Sequence, residues 1–217
     1  MQIKVILISL VILLAGCTAE EINSESLNQE TKANTLVDCQ ANNSSTVIMN
    51  IIQGNSLENA SSIHSICILL DFSAAPLHSE NFKTHVSEGN YNLTKYHRII
   101  DNFMIQGGDF ENFDGSGGYA SNWYGYCNGK VSGDSNCSGD GRNAWTVPDE
   151  ADNGLRHLPC TISMAKTSAP HTGGSQFFII PEDSTPSHLD GVHTVFAEIT
   201  EGCEQITMIS EVNTDSR

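Results

Sequence analysis

The sequence predicts a single domain that is mainly β, built as a barrel or a sandwich. Three observations predict this fold class: from Tyr96 onward the apolar runs are brief, glycine-rich turns separate them, and they do not alternate with crossover helices as in an α/β sheet. A chain of 217 residues with 39% apolar residues is long enough to bury one core.

The N-terminal stretch is typical of an export signal. One cation, Lys4, precedes an apolar run, and small residues follow it, so residues 1–16 are predicted to be a signal peptide. The run is shorter than the ~20 residues that a membrane-spanning helix needs. The letters LAGC at residues 14–17 resemble the lipobox of bacterial lipoproteins, which implies that Cys17 is lipidated; an ordinary signal peptide cut near the same place is the alternative.

The residue after that cysteine bears on location. Thr18 stands where an aspartate usually retains bacterial lipoproteins in the inner membrane. The resemblance therefore implies an exported, periplasmic protein, anchored by lipid to the outer membrane of a Gram-negative bacterium. Residues 17–45 are rich in Ser, Asn, Glu and Thr and poor in large apolar groups, so they are predicted to be a flexible tether before a domain at residues 46–217.

The domain is predicted to open with two strands and a helix. STVIMNIIQG (45–54) and IHSICILLDF (63–72) favour an antiparallel strand pair. The next segment predicts a helix with Ser73 as its N-cap, Pro76 in its first turn and a stop at Gly89; its inner face would be apolar, formed by Leu77, Phe82 and Val86. A second helix is expected near the end, where Cys203, Ile206 and Ile209 have helical spacing.

The cysteine content favours disulfide bonds. Besides Cys17 there are six cysteines, an even number that is typical of exported proteins, although six buried free thiols are the alternative. Six cysteines allow 15 pairings. We predict only the bond between Cys127 and Cys137, because they flank a short glycine-rich segment.

The net charge restricts the partners. The chain has 10 Lys and Arg against 26 Asp and Glu, a formal charge of −16. This charge repels phosphate backbones and anionic lipid headgroups. Nucleic acid is therefore not an expected partner, the membrane is reached through the N-terminal lipid only, and we expect a monomer.

A set of motifs resembles the cyclophilins, one family of peptidyl-prolyl cis-trans isomerases. The motifs occur in the family's order and spacing over about residues 46–210, and two of them look most like the bacterial branch. They are YHRIIDNFMIQGGDF (96–110), GSGG (115–118), ADNGLRH (151–157), TISMAKT (161–167), GGSQFFI (173–179) and HLDGVHTVFAEITEG (188–202). The resemblance implies a closed antiparallel β-barrel capped by two helices, with the active groove on its outer wall.

The resemblance also implies a mechanism that breaks no covalent bond. Rotation about an Xaa-Pro amide is slow because conjugation imposes a barrier of ~18–20 kcal/mol. A guanidinium that donates towards the prolyl nitrogen binds the twisted amide better than the planar one. Arg98 matches the family arginine that has this role. No metal, nucleotide or other cofactor is expected.

The other site residues carried over by the resemblance surround this arginine. Gln106 matches the residue that hydrogen-bonds the substrate backbone and orients the arginine, and His193 matches the histidine at the pocket rim. Phe103, with Arg98, Gln106 and His193, completes the expected catalytic group. The substrate-binding group is expected to be Met104, Ala165, Lys166, Gln176, Phe178, His188 and Leu189.

Three features depart from the family. His188 stands where many eukaryotic members have a tryptophan that binds cyclosporin, so we expect weak affinity for that drug. The loop at 119–146 is longer than usual; its aromatic residues Trp123, Tyr124, Tyr126 and Trp145 either extend the groove or pack within the loop. The letters DSNCSGDG (134–141) resemble the start of a calcium loop, but Trp145 takes the place of the bidentate Glu, so no metal site is predicted.

The third departure concerns the last strand of the barrel. Family members continue past the second helix into a closing strand, whereas here the sequence ends in SEVNTDSR. An open sheet edge exposes unpaired backbone groups. We expect either that residues 34–40 supply a substitute strand stapled through Cys39, or that the barrel lacks this strand.

Two other functions compete with the isomerase. A non-catalytic proline-peptide binding module or holdase would use the same groove without needing Arg98. A thiol oxidoreductase or metal protein is disfavoured, because the sequence has no CxxC motif and no closely spaced metal ligands.

Overall fold

The structure is a computed structural model of the 217-residue chain, and it describes residues 3–6, 34–35, 39, 44–54, 56 and 58–214. Two helices lie within these residues, α1 (Pro76–Ser87) and α2 (Cys203–Ser210). The strands of the same residues are β1 (Ile3–Ile6), β2 (Asn34–Thr35), β3 (Thr46–Gln53), β4 (Ser62–Leu70), β5 (Thr94–Lys95), β6 (Arg98–Ile100), β7 (Met104–Gly107), β8 (Tyr126–Cys127), β9 (Lys130–Val131), β10 (Thr161–Met164), β11 (Phe177–Ile179) and β12 (Val195–Glu201).

One curled sheet forms the body of the domain. Its strand order is β5-β1-β3-β4-β12-β10-β11-β7-β6, with all neighbours antiparallel, and β2 pairs with β4 in parallel. The two outermost strands, β5 and β6, are joined by only residues 96 and 97, so the order returns almost to its start. The predicted mainly β, antiparallel fold with two helices is confirmed. The expected barrel was closed, whereas the end strands β5 and β6 of this curled sheet do not pair with each other in the described part of the chain.

Aromatic rings fill the space between this sheet and α1. Phe82 of α1 is fully buried and meets Phe177 edge-on, with ring centroids 5.3 Å apart. Tyr91 and Phe196 lie against the same ring at 5.2 and 5.3 Å. Such contacts stabilise a pair by about 0.5–1.5 kcal/mol beyond the area that they bury. The core therefore holds β11 and β12 in fixed positions relative to α1.

The start of α1 differs from the sequence prediction. Ala75 is the N-cap and makes no side-chain capping bond, so the assignment of Ser73 was wrong. The carboxylate of Glu150 instead accepts the backbone N–H groups of Leu77 and His78 at 3.2 and 3.0 Å. A carboxylate that is distant in sequence thus accepts two of the free N–H groups of the helix, and its negative charge interacts favourably with the positive end of the helix dipole.

The inner face of α1 is more polar than predicted. Phe82 is buried and Val86 packs against the core as expected, whereas Leu77 is half-buried. The remaining buried positions of the helix are polar: His78, Ser79, Asn81 and His85. Asn81 and His85 donate hydrogen bonds to the backbone carbonyls of Gly174 and Tyr119, respectively. This face of α1 therefore contacts loops as well as the sheet.

Three disulfide bonds staple the domain. The predicted bond between Cys127 and Cys137 is present. Cys160, before β10, is bonded to Cys203 at the start of α2. Cys39 is bonded to Cys67 of β4, so the expected covalent attachment of the segment at 34–40 is confirmed.

Two residues of the expected substitute strand pair with β4, and a different segment covers the outer edge of β3. Asn34–Thr35 pair with Ile63–His64 of β4, which places them off the main strand order. Ile3–Ile6 instead pair with β3 on one side and with β5 on the other. Residues 36–38 and 40 of the expected substitute strand lie outside the described residues.

Most of the predicted signal peptide and tether lies outside the described residues, including Cys17. The signal peptide and the lipid therefore stay predictions. Cleavage after residue 16 would remove β1 and leave the adjoining edges of β3 and β5 unpaired. Within the described part of the chain, no helix has the length and apolar character needed to cross a membrane.

Candidate active site

The β6–β7 hairpin sets the direction of the arginine side chain. Arg98 pairs with Gln106, and Ile100 pairs with Met104, across a tight connection in which Asn102 has a φ of 55°. Residues directly opposite in an antiparallel pair project to the same face, as do residues two apart along a strand. The pairing alone therefore places Arg98, Gln106 and Met104 side by side.

The contacts of the guanidinium follow from this pairing. Nη1 of Arg98 lies 3.4 Å from Oε1 of Gln106 and 3.7 Å from Sδ of Met104. The guanidinium carbon lies 5.6 Å from the centre of the Phe103 ring, a cation–π distance. Among the described residues no carboxylate forms an ion pair with Arg98, so its remaining donors are available to a ligand.

An apolar pocket adjoins the arginine. Its volume is about 280 Å³. Sheet pairing again explains its position, because Phe178 of β11 lies opposite Gln106 of β7. Nine of the predicted site residues line it: Arg98, Phe103, Met104, Gln106, Ala165, Lys166, Phe178, Leu189 and His193.

The pocket wall is a small apolar cluster of its own. Met104, Ala165, Phe178 and Ile180 are buried in it, and Phe103 and Leu189 pack against them. This cluster is separate from the main core, so its side chains serve the pocket rather than the packing of sheet on helix. Burying an apolar ring here would contribute about 1.5–3 kcal/mol.

A chain of amides fixes the orientation of Gln106. Its Nε2 donates to Oε1 of Gln176 at 3.0 Å, and Nε2 of Gln176 donates to the carbonyls of Gly115 and Gly117 at 2.9 and 2.7 Å. The Oε1 of Gln106 is therefore directed to Arg98. Gln176 lies in a neighbouring pocket of about 240 Å³, which shares Gln106, Ala165 and Lys166 with the first.

The buried carboxylate of Asp109 shapes the loop that receives Gln176. It accepts the backbone N–H groups of Glu111, Asn112, Asp114, Gly115 and Gly117. Burial opposes its ionisation, but the N–H donors of Asn112, Gly117, Gly115 and Glu111 outweigh this cost, so the pKa of Asp109 lies below its ordinary value. The charged form therefore holds the two carbonyls in place at neutral pH.

His193 closes the pocket as a neutral ring. Its Nδ1 lies 3.0 Å from the carbonyl of Met164, and it meets Phe178 edge-on with centroids 5.6 Å apart. Burial lowers the pKa of His193. In the neutral ring Nδ1–H donates to Met164, and Nε2 is left as an acceptor.

Two predicted residues have positions that the sequence did not indicate. His188 does not line the pocket; its ring stacks on Phe103, a pocket residue, with centroids 5.8 Å apart. The Lys166 side chain is only 5% exposed, with Nζ 3.7 Å from Asp149 and 3.4 Å from the carbonyl of Ala169. Its ammonium group is thus engaged by Asp149 and by the carbonyl of Ala169.

The sequence did not single out the support behind the pocket. His157 stacks against Phe178 and hydrogen-bonds Asp190, which follows the pocket residue Leu189. The two partners are 33 residues apart in the chain, and no local pattern links them. The motifs ADNGLRH and HLDGVH contain both residues, which is the one signal that was available.

The two tryptophans of the enlarged loop pack within the loop. Trp123 and Trp145 lie 5.7 Å apart, and Nε1 of Trp145 donates to the carbonyl of Ser135. None of the aromatic residues of this loop lines either pocket of the groove, which favours the packing interpretation. The oxygens of Asp134 accept the N–H groups of Asn136 and Ser138, as in a capped turn.

Comparison with known proteins identifies the family. The family model described as cyclophilin type peptidyl-prolyl cis-trans isomerase/CLD matches residues 57–217. Peptidyl-prolyl cis-trans isomerase A of Dickeya dadantii is 35% identical, covering 70% of this chain and 69% of its own, and isomerase B of Escherichia coli is 33% identical, covering 64% and 74%. Isomerase 9 of Schizosaccharomyces pombe is 39% identical, but this chain spans only 23% of its length.

Solved structures agree. A Cryptosporidium parvum cyclophilin, crystallised in the presence of the dipeptide Ala-Pro, has a TM-score of 0.55 and 28% identity, over 70% of this chain and 82% of that one. The predicted isomerase class is thus confirmed at the level of the family. A guanidinium held beside an apolar pocket on a curled sheet, together with the family match over three quarters of the sequence, shows that this chain belongs to the cyclophilin-type peptidyl-prolyl cis-trans isomerases.

Proposed function

We propose that the protein accelerates cis-trans isomerisation of Xaa-Pro bonds in exported polypeptides while they fold. The observation that carries this proposal is the position of Arg98, whose guanidinium borders a pocket of about 280 Å³ and lies 3.4 Å from Gln106. The Cryptosporidium relative crystallised with Ala-Pro supports a proline-containing ligand.

The pocket and the arginine divide the work. Phe103, Met104, Phe178 and Leu189 hold the proline ring, so that the rest of the peptide rotates against a fixed point. As the amide twists it loses conjugation, and its nitrogen becomes a better hydrogen-bond acceptor. Arg98 donates to that nitrogen, so the interaction is stronger in the transition state than in either planar isomer.

The surroundings of Arg98 increase the effect. Gln106 holds one guanidinium nitrogen and is itself held by Gln176, so little reorganisation is needed during rotation. The apolar wall excludes water, which strengthens a charge-assisted hydrogen bond. Every 1.36 kcal/mol by which this interaction favours the twisted amide gives about tenfold in rate.

We further propose that the protein acts in the periplasm, attached to the outer membrane through a lipid on Cys17. Three disulfide bonds are consistent with an oxidising compartment. Mass spectrometry of the protein from a Gram-negative host tests this, because a lipidated N-terminus at Cys17 adds a diacylglycerol mass that Cys17→Ser removes. Recovery in the soluble periplasmic fraction with an unmodified Cys17 would contradict the anchor.

The isomerase is tested by NMR exchange between the cis and trans forms of an Ala-Pro peptide. Wild-type protein should speed exchange, and Arg98→Ala should lower kcat/KM by about 10²- to 10³-fold, as expected for loss of a transition-state donor, while changing peptide affinity only a few-fold. Arg142→Ala is the matched control, since that arginine lies over Tyr119 and Trp145 in the loop. Binding without any exchange enhancement in the wild type would favour the holdase instead.

A further inference from the structure

We propose that His157 is a positioning residue of the isomerase groove, since one buried imidazole fixes both the ring of Phe178 and the segment that carries Leu189 and His193. The inference rests on the proposed function. His157 is 1% exposed and lies behind the pocket, where it touches no ligand space. Its face and both ring nitrogens are engaged, each by a different element around the pocket.

The face of the imidazole sets the plane of Phe178. The two rings lie nearly parallel, with an angle of 9° and centroids 5.7 Å apart. Phe178 also meets His193 edge-on at 82°. Two histidine rings thus contact Phe178, and a change in the tilt of His157 would change the surface on which a proline ring rests.

The Nδ1 edge fixes the pocket wall at Leu189. One oxygen of Asp190 accepts both the backbone N–H of His157 at 2.8 Å and its Nδ1–H at 2.9 Å. Asp190 follows Leu189 directly, and the N–H of His193 returns to the carbonyl of Leu189 at 3.1 Å. The same carboxylate therefore anchors the short segment from Leu189 to His193, which forms one side of the pocket.

The Nε2 edge reaches β10 through Ser163. Nε2 lies 3.0 Å from Oγ of Ser163, which also lies 2.9 Å from the carbonyl of Thr194. A hydroxyl has one proton to give. With a neutral ring protonated on Nδ1, Ser163 donates to Nε2, and the Thr194 carbonyl still receives the N–H of Met164 at 2.9 Å.

Protonation of His157 reverses the direction of the hydrogen bond between Ser163 and Nε2 of His157. A charged imidazole donates from Nε2 to Ser163, whose proton must then turn to Thr194. Burial lowers the pKa of His157, and so does His188, while Asp190 raises it. His193, which also contacts Phe178, interacts with His157 and is itself affected by Lys166 and Asp149, while Arg156 acts on Asp190.

The sign of the pH effect follows. Because the folded-state pKa of His157 lies below its ordinary 6.5, the ring is neutral at pH 7 and gains its proton only in more acidic solution. There the Ser163 hydroxyl turns, and the support of Phe178 changes. We expect kcat/KM to fall on the acid side, with an inflection that belongs to His157.

Two replacements of His157 separate the contribution of its ring face from that of its two ring nitrogens. His157→Phe keeps a flat ring against Phe178 and loses both hydrogen bonds; His157→Gln keeps a donor and an acceptor and loses the flat ring. Each should lower kcat/KM for an Ala-Pro peptide at least tenfold at pH 7 and remove the part of the acid inflection that belongs to His157, leaving any part due to His193. Asp190→Asn, a milder change, should keep the fold and move the inflection to lower pH, because it removes the nearest counter-charge.

His78 supplies a matched control. It is equally buried, its backbone N–H and Nδ1 also bind one carboxylate, that of Glu150, and its ring stacks on Phe196 at 6.5 Å, but it does not border the pocket. His78→Gln should lower stability without changing kcat/KM or its pH profile. Equal losses of activity in the two histidine variants at matched stability, or folded His157 variants within twofold of wild type, would overturn the assignment.

A spectroscopic readout separates this inference from the proposed function. With 13C-labelled phenylalanine, the Phe178 resonances should follow the titration of the His157 ring, and this dependence should vanish in His157→Phe. If the wild type enhances no exchange, the proposed isomerase fails, yet the coupling remains measurable. If the Phe178 chemical shifts do not change while His157 titrates, the positioning role itself is refuted.

Discussion

The groove and the enlarged loop at 119–146 are held in different ways. In the groove, ladder pairs between β6, β7 and β11 set which side chains are neighbours, as with Arg98 opposite Gln106 and Gln106 opposite Phe178. In the loop only two short strands pair, and shape comes from the Cys127–Cys137 bond and from residues with positive φ, such as Asn128 and Ser138. The side chains of the groove are thus positioned by regular strand pairing, whereas the loop at 119–146 is shaped by a disulfide bond and by local backbone conformation.

The two regions meet beside the second pocket. The turn at Gly129 lies so close to Pro170 and Thr172 that an added Cβ would be 2.7 Å from the Thr172 side chain. Tyr126 also lies against His171, with centroids 5.1 Å apart. The loop therefore braces the segment beside the second pocket without entering the first, and its changes should affect stability more than catalysis.

The largest contrast should come from removing one aromatic ring from each region. Phe178→Ala removes a pocket wall, so kcat/KM should fall by about 10- to 150-fold, the equivalent of 1.5–3 kcal/mol of lost ring contact. Trp123→Ala removes a ring that packs on Trp145 and should change kcat/KM less than twofold. NMR exchange assays at equal folded concentration, checked by urea unfolding, make the comparison; similar losses in both variants would contradict the division.

The disulfide of the loop should matter for stability alone. A bond that closes a segment with a sequence separation of 10 stabilises by about 3 kcal/mol in the chain-entropy estimate. The double variant Cys127→Ser, Cys137→Ser should therefore unfold at lower urea, or lose amide protection within residues 119–146, with kcat/KM unchanged. A fall in catalysis before any loss of protection would show that the loop acts on the groove directly.

His85 joins α1 to the loop, and it should make that junction sensitive to acid. Its Nε2–H donates to the Tyr119 carbonyl, Asn90 donates to its Nδ1, and burial lowers the pKa of His85 from 6.5 to about 4. Because the unfolded chain then binds the proton first, this group makes stability fall as pH drops from about 6.5 to about 4. Between pH 7 and pH 5 the loss is about 2 kcal/mol.

The test uses a residue that does not titrate. His85→Gln keeps a donor for Tyr119, so its unfolding free energy should lose about 2 kcal/mol less than wild type between pH 7 and pH 5. Urea titrations at the two pH values measure this difference. Parallel losses in the two proteins would mean that His85 does not titrate as its burial implies.

The sequence allowed the fold class and most of the groove to be predicted for a physical reason. Strand periodicity and turns are local properties, and the motifs around Arg98 and Phe178 belong to strands whose pairing brings them together. Capping of α1 by Glu150 and the support of Phe178 by His157 depend on residues far apart in the chain. The pairing of β1 with β3 was missed because an apolar N-terminal run fits a signal peptide and a strand equally well.

The smallest expected effect lies at the groove rim. His188 stacks on Phe103 and offers less apolar area than a tryptophan would at this position. His188→Trp should raise cyclosporin affinity by about tenfold, because roughly 1.4 kcal/mol of added apolar burial is within the range for one large ring. Tyr126→Trp adds a similar ring in the loop and should leave the affinity unchanged. Inhibition of proline isomerisation across a drug titration measures both, and submicromolar inhibition of the wild type would already contradict the premise that His188 weakens binding.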